Sequence, residues 1–223
     1  CGRLEKQIVH FMWGEFASPM HPEWFRRRNE MLVGTFHCSA RRLERVLGKS
    51  PCIHHYDLIT VMSASQIPFF KERGVPESKL HVILHGVDTQ YYCPPVSRQS
   101  DDPAMLKCLM VGSTERDHEF LAELMKRLPP SSFQLTALTH YDYRHYYADC
   151  PNVKIPEYLD EKALLALYQQ SDLLLMPMLD CTANNAILES MACGTPIMAN
   201  RIGGIVEYAD PSCNYLMEGK RLD

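Results

Sequence analysis

Short apolar runs alternate with longer amphipathic stretches along most of the chain, and the alternation is interrupted once. In the first block, residues 7–12, 31–36, 57–62 and 80–84 are apolar runs of strand length. Between them, residues 23–28 read as a short helix and 40–47 as a helix with Leu43, Val46 and Leu47 on one face. Residues 65–73 form a further helical stretch that stops at Gly74. After the turn His85-Gly86-Val87-Asp88, the segment from Pro94 to Pro103 is polar and proline-rich with no apolar period, and reads as a linker.

Beyond the linker the alternation restarts. Residues 105–111 read as a strand running into Gly112, and 118–128 as a helix with Phe120, Leu121, Leu124, Met125 and Leu128 at helical spacing. A strand at 133–138 precedes the polar, tyrosine-rich stretch 140–147, and 153–155 is a short strand. Asp160 is placed to cap a helix reaching Gln170, and 172–178 is a continuous apolar run. A helix at 184–192 ends at Gly194, followed by a strand at 197–199 and a short helix at 204–208. Strands alternating with helices imply an α/β protein whose parallel sheets are covered on both faces. Two such blocks predict two Rossmann-like domains, residues 1–95 and 104–223, joined by a linker at 96–103.

Composition narrows the class further. Of 223 residues, 46% are apolar and 22% charged, the balance of a globular chain rather than a disordered one. A net charge of −4 gives no reason to expect nucleic acid as a partner. The longest apolar stretch, at 173–179, is far too short to span a membrane, and no leader pattern opens the chain. The chain opens on Cys1 rather than Met, which suggests a piece of something longer. Nine scattered cysteines with no Cys-x-x-Cys pair read as reduced, mostly buried thiols of a cytoplasmic protein. His54-His55 is the one histidine pair, and no Cys/His grouping has zinc-finger spacing, so no metal site is expected.

In doubly wound sheets ligands bind on the loops beyond the carboxyl ends of the strands. Three such loops stand out. The first runs from Gly112 and Ser113 to Arg116 and Asp117; its small residues and a helix start suit a phosphate, although a plain turn fits as well. The second carries Asp180, Thr182, Ala183, Asn184 and Asn185 into a helix whose Glu189 either points to water or is held for a partner such as a pair of sugar hydroxyls. The third, Arg201-Ile202-Gly203-Gly204 with Glu207 after it, adds a glycine-permitted turn.

Taken together, Pro177, the run Glu189-Ser-Met-Ala-Cys-Gly-Thr-Pro196 and Gly203-Gly204-Ile-Val-Glu207 resemble the donor-site signature of retaining GT-B glycosyltransferases, family four. The upstream stretch from Gly74 to Pro94, with Lys79 and His85-Gly86-Val87-Asp88, resembles that family's segment closing the N-terminal domain. The resemblance implies a metal-independent hexosyltransferase with a GT-B fold. It would move a sugar from a nucleotide diphosphate sugar to a sugar, lipid or small-molecule acceptor with retention of configuration, and would need no further cofactor. It assigns Glu189 to the ribose hydroxyls, the amides around Ala183, Asn184 and Asn185 to the diphosphate, and Arg116 to clamping it, with Gly112, Ser113, Asp180 and Thr182 also lining the donor. His37, after Gly34-Thr35-Phe36, matches the histidine that faces the reacting sugar. His37, Arg116 and Glu189 are therefore the expected catalytic residues.

Two positions depart from the family pattern. The first motif glutamate, eight residues before Glu189, falls on Cys181, and the lysine expected just after Arg116 is missing from Asp-His-Glu-Phe-Leu at 117–121. His118 is a possible substitute cation, although a surface histidine is the plainer reading of it. These departures keep a non-catalytic nucleotide-sugar-binding relative open as an alternative, with a nucleotide-sugar epimerase behind it. The arginines at 26–28 and at 41, 42 and 45 fit either a solvated face or contact with an anionic acceptor or membrane surface. Because members of the family are much longer, both domains are expected to be incomplete, the first lacking its opening glycine-rich loop and the second its closing helices.

Overall fold

Every strand of the first block is held by parallel pairing, which explains why its apolar runs are continuous rather than alternating. Strands β1 (Gln7–Phe11), β2 (Glu30–Phe36), β3 (Leu58–Val61) and β4 (Leu80–Val82) pair in chain order, all parallel. In β2 the last five residues, Leu32 to Phe36, are all buried, as a strand covered on both faces must be. The computed structural model describes residues 7–26, 30–97 and 103–219. It divides into two units, Cys1–His85 and Gly86–Asp223.

Short helical pieces connect or cover the first sheet. Helix α1 (Gly14–Ala17) follows β1 and was not signalled by periodicity, since one turn is too short to show a period. Helix α2 (Ala40–Leu47) starts where the Ser39 side chain accepts the Arg42 amide and ends at Gly48, whose φ of +52° suits a residue without Cβ. Residues 23–28, expected as a helix, instead give a 3-10 turn at Pro22–Phe25 that is extended again by Arg26; Arg27 and Arg28 lie outside the described residues. A segment that short cannot offset helix nucleation without a packed face. Helix α3 (Ile67–Lys71) is preceded by a 3-10 turn closed by a capping box between Ser63 and Gln66. The buried Gln66 side chain accepts the Met62 and Ser63 amides and donates to the Phe36 and Cys38 carbonyls, which ties the ends of β2 and β3 together.

In the second unit, β5 (Leu106–Val111), β6 (Phe133–Leu138), β7 (Val153–Lys154), β8 (Leu173–Met176), β9 (Ile197–Asn200) and β10 (Tyr215–Met217) form one parallel sheet in the order β10-β9-β8-β5-β6-β7. Numbered within the unit this is 3-2-1-4-5-6 read from the other edge, the strand order of the Rossmann fold. The edge strand β10 was not anticipated, because three half-exposed residues carry too little apolar signal. Helices α4 (His118–Arg127), α5 (Glu161–Gln170), α6 (Asn185–Ala192) and α7 (Ile205–Tyr208) make the crossovers, and the core includes Leu109, Met110, Leu135, Leu174, Met176, Ile197 and Ala199. The tyrosine-rich stretch is a 3-10 turn at Tyr141–Tyr147. The segment before the linker packs on this unit: Tyr92 meets Tyr168 edge to face, and Gln169 Nε2 donates to the Cys93 carbonyl at 2.8 Å. Most of the linker itself, residues 98–102, lies outside the described residues.

The eight described cysteines are all free thiols, and five of them are buried. No described helix is long and apolar enough to cross a membrane.

Gly34 shows how tightly the first sheet is packed. A Cβ there would sit 2.8 Å from a ring carbon of Tyr56, which is fully buried. Gly34→Ala should cost about 1–3 kcal/mol in urea unfolding through overpacking. Gly86→Ala, with open space around the added carbon, should cost far less.

Candidate functional site

The strand order of the second sheet reverses between β5 and β8, and in sheets of this kind ligands bind at the carboxyl ends of the two strands on either side of that point. Here the loops leaving those two strands are laced together. The Asp117 amide donates to the Pro177 carbonyl and the Leu179 amide to the Glu115 carbonyl, each at 2.9 Å, and Arg116 and Met178 form an isolated antiparallel bridge. Glu115 takes a φ of +57° to make this turn.

Arg116 is the centre of the lacing. Its Nε and Nη2 donate to the Val111 carbonyl at 3.1 and 2.9 Å, Nη1 donates to the Thr114 carbonyl at 2.7 Å, and Nη2 also reaches Asn184 Oδ1 at 3.2 Å. The guanidinium lies over Gly112, whose φ is +100° and whose absent Cβ would fall 2.6 Å from Nη2. Glycine is required there on both counts. Burial lowers the Arg116 pKa, with Cys181, Tyr168 and Glu115 opposing the shift, and an arginine remains charged under such conditions.

Asn184 receives this cation while capping α6, since its Oδ1 also accepts the Ala186 amide at 3.1 Å. Asp180 Oδ1 accepts the Cys181 amide at 2.8 Å. The Cys181 carbonyl accepts the Gly204 amide at 2.7 Å, and a Cβ on Gly203 (φ +53°) would collide with that same carbonyl. The third loop therefore closes onto the second. Cys181 is buried with its thiol donating to the Thr182 carbonyl at 3.0 Å, and burial pushes its pKa up to about 12, so it carries no charge where the family pattern has a carboxylate. Thr182 is buried beside it, while Asn185 is exposed at the start of α6. From the far side, Asn200 pins the loop by accepting the Met178 amide at 2.7 Å and donating to its carbonyl at 3.1 Å.

Glu189 lies in the body of α6 and is not simply solvated: the Tyr168 hydroxyl donates to its Oε2 at 2.8 Å. Tyr92 also bonds it, and burial together with the Glu189 charge pushes the Tyr92 pKa up to about 12. Tyr168 shifts upward for the same causes, so both phenols stay protonated donors. Thr195 Oγ1 donates to the Tyr168 carbonyl at 2.6 Å and steadies that ring. Nothing in the local sequence around Glu189 marked these partners, since they arrive from α5 and from the segment before the linker.

Ser113 faces the other way. Its Oγ accepts the His140 amide at 2.7 Å and meets Thr139 Oγ1 at 3.0 Å. His118 is not the surface residue its sequence position suggested. It is 3% exposed and stacked on Tyr143, with ring centroids 4.4 Å apart. Its Nε2 donates to the Ser113 carbonyl at 3.2 Å, so Nδ1, 2.9 Å from the Tyr147 hydroxyl, accepts from it. Burial lowers its pKa below the ordinary 6.5, and the nearby Arg116 adds to that.

The remaining assigned residue, His37, ends β2 in the first unit. Its ring lies 4.1 Å from that of Trp13, and its amide and that of Cys38 both donate to Glu15 Oε1 at 3.0 Å. Glu15 is fully buried; burial raises its pKa, but hydrogen bonds from His37, its own amide and Cys38 outweigh this and leave it lowered. His10 bonds Thr35 at 2.7 Å, and Thr35 in turn meets Thr60 at 2.6 Å.

The family model described as glycosyl transferases group 1 matches residues 95–221, more than half of the chain. An MMP alpha-(1->4)-mannosyltransferase of Mycolicibacterium hassiacum is 27% identical over 70% of this chain and 39% of its own length. Among solved structures, sucrose-phosphate synthase from Thermosynechococcus elongatus superposes with a TM-score of 0.78 at 17% identity, covering 96% of this chain and 61% of that one. Anabaena HepE in complex with UDP-glucose gives 0.73 at 15% identity, covering 95% and 64%. The chain thus spans about two fifths of the curated relatives it matches, and its two parallel sheets have the GT-B architecture.

Two outcomes follow from the geometry. Asn184→Ala removes the α6 cap and the Arg116 acceptor together, and should cost about 1–2 kcal/mol in urea unfolding. Because the folded pKa of His118 is lowered, it favours folding above the unfolded value of 6.5, and this contribution is lost as pH falls through the folded value. The loss of stability between pH 7.5 and 5.5 should therefore be shallower in His118→Asn than in the parent, read by urea unfolding at each pH.

Proposed function

This chain belongs to the glycosyl transferases group 1 family, and on that premise we propose that its second unit binds a nucleotide diphosphate sugar for transfer of the sugar to an acceptor. The observation that carries the reading is the lacing of Arg116 to the capped start of α6 at the point where the sheet order reverses. A helix start with free amides holds an anion, and the amides of Ala183, Asn184 and Asn185 are assigned to the diphosphate. Arg116 lies beside them as a fixed positive charge. Departure of the diphosphate develops negative charge, and a pre-set cation and amides lower that barrier without reorganising.

Glu189 is assigned to the nucleotide ribose. Tyr168 and Tyr92 orient its carboxylate, which accepts from paired hydroxyls better when its rotamer is already fixed. Gly112 and Ser113 allow the donor close to the backbone of the β5 loop, and Asp180 and Thr182 are the polar groups available to the donor sugar where Cys181 is not. Transfer is proposed to proceed with retention and without a metal at this site. The assignment of His37 to the reacting sugar rests on the motif after β2.

A second reading, nucleotide-sugar binding without transfer, is favoured by one specific observation: the buried, uncharged Cys181 thiol in place of a carboxylate. The two separate cleanly. In isothermal titration of the chain, UDP or GDP should bind, and Glu189→Ala should weaken binding about 10–100-fold, the worth of charged hydrogen bonds of about 1.5–3 kcal/mol. Absence of affinity for any nucleoside diphosphate would overturn both readings. Binding without donor hydrolysis or transfer would leave the second.

A further inference from the structure

Two short 3-10 turns of the first unit, Pro22–Phe25 and Pro51–His55, bring together side chains that no motif connects. His21 Nδ1, a Glu23 carboxylate oxygen and Cys52 Sγ all lie within 4.8 Å of one another. His55 joins them from the end of the second turn, with Nε2 3.7 Å from Glu23 Oε1, while His21 Nδ1 is 3.0 Å from that same oxygen. Metal–ligand bonds of about 2.0–2.3 Å at a tetrahedral ion put neighbouring ligand atoms roughly 3.3–3.8 Å apart. The His55–Glu23 separation lies in that range, and the shorter His21–Glu23 contact is a hydrogen bond that a cation would replace. We propose that His21, Glu23 and Cys52, with His55 beside Glu23, form a binding site for a divalent zinc-like cation.

Three features beyond proximity support it. Glu23 Oε2 is shielded from solvent and has no hydrogen-bond partner among the described residues. A carboxylate oxygen left that way carries a desolvation cost that a bound cation would remove. His21 takes a φ of 55° and ψ of 72°, a left-handed backbone that a non-glycine residue adopts at some cost, and this conformation begins the turn carrying Glu23. Its ring is stacked on Trp24, with centroids 4.8 Å apart and planes 14° from parallel, which fixes the direction of Nδ1.

The surrounding contacts hold the two turns in register without using the ligand atoms. Arg26 Nη2 donates to the His55 carbonyl and to Asp57 Oδ2, both at 2.8 Å, so the nearby guanidinium is neutralised by its own carboxylate. Lys79 Nζ donates to the Tyr56 carbonyl at 2.8 Å. An imidazole, a carboxylate and a thiolate, with a second imidazole beside the carboxylate, suit zinc or cobalt and disfavour calcium and magnesium, which prefer all-oxygen shells. On binding, the Cys52 thiol releases its proton to solvent and ligates as the thiolate. The site joins the turn after α1 to the turn carrying Ile53, a member of the first unit's core, so its expected role is to brace that unit.

Cobalt reports this ligand set directly. The metal-free chain titrated with Co²⁺ should take up one equivalent and develop a thiolate-to-cobalt absorption band, which Zn²⁺ should then displace. The band should vanish in Cys52→Ser. His21→Ala, at an exposed position, should weaken binding at least about tenfold, more than the loss of an outer partner usually costs. Zn²⁺ should raise the Tm of the parent chain and not that of Cys52→Ser. Lack of any thiolate band in the parent, or a band undiminished in Cys52→Ser, would overturn the proposal. Nucleotide affinity is read separately and is expected to be the same with and without the metal.

Discussion

The Arg116 guanidinium is the constraint on which the second unit's candidate site depends. One side chain bonds the carbonyl that ends β5 and the residue that caps α6, joining the loops that follow β5 and β8. It can lie there only because Gly112 has neither a Cβ nor a barrier to positive φ. The neighbouring backbone bonds between Asp117 and Pro177, and between Leu179 and Glu115, then set the path of both loops. Cys181 and Gly204 extend the same lacing to the third loop. The positions assigned to the donor are thus set by backbone geometry more than by individual polar side chains.

The same backbone path accounts for the place of Cys181. Cys181 contributes through its carbonyl and its burial, and both depend on the backbone path rather than on side-chain charge. Arg116 already has four hydrogen bonds inside the protein, so its guanidinium is held in place rather than free as a mobile arm. Glu189 follows the same logic, with two protonated tyrosines defining its rotamer in advance. The cost of holding these groups is met by packing in the folded state.

Much of this was legible in the sequence where the determinants are local. Continuous apolar runs revealed the parallel strands, and glycine or capping residues at their ends revealed the three loops, because both signals sit within a few residues of one another. The signals failed where they were too short or too far apart. The single turn of α1 and the edge strand β10 are shorter than any period can show. Burial of His118 depends on Tyr143 and Tyr147 in the next crossover, so its sequence position resembled a surface site. The partners of Glu189 and the grouping of His21, Glu23 and Cys52 join separate stretches of chain, and no spacing rule reaches across them.

The loops after β5 and β8 of this group 1 glycosyltransferase domain are proposed to hold a nucleoside diphosphate. Two-dimensional amide NMR of the labelled chain, titrated with UDP and with GDP, tests it most directly. The account predicts that one of them shifts the amides of Gly112, Ser113, Ala183, Asn184 and Asn185 together, at one common affinity. Shifts confined to other parts of the chain, or none with either nucleotide, would contradict it.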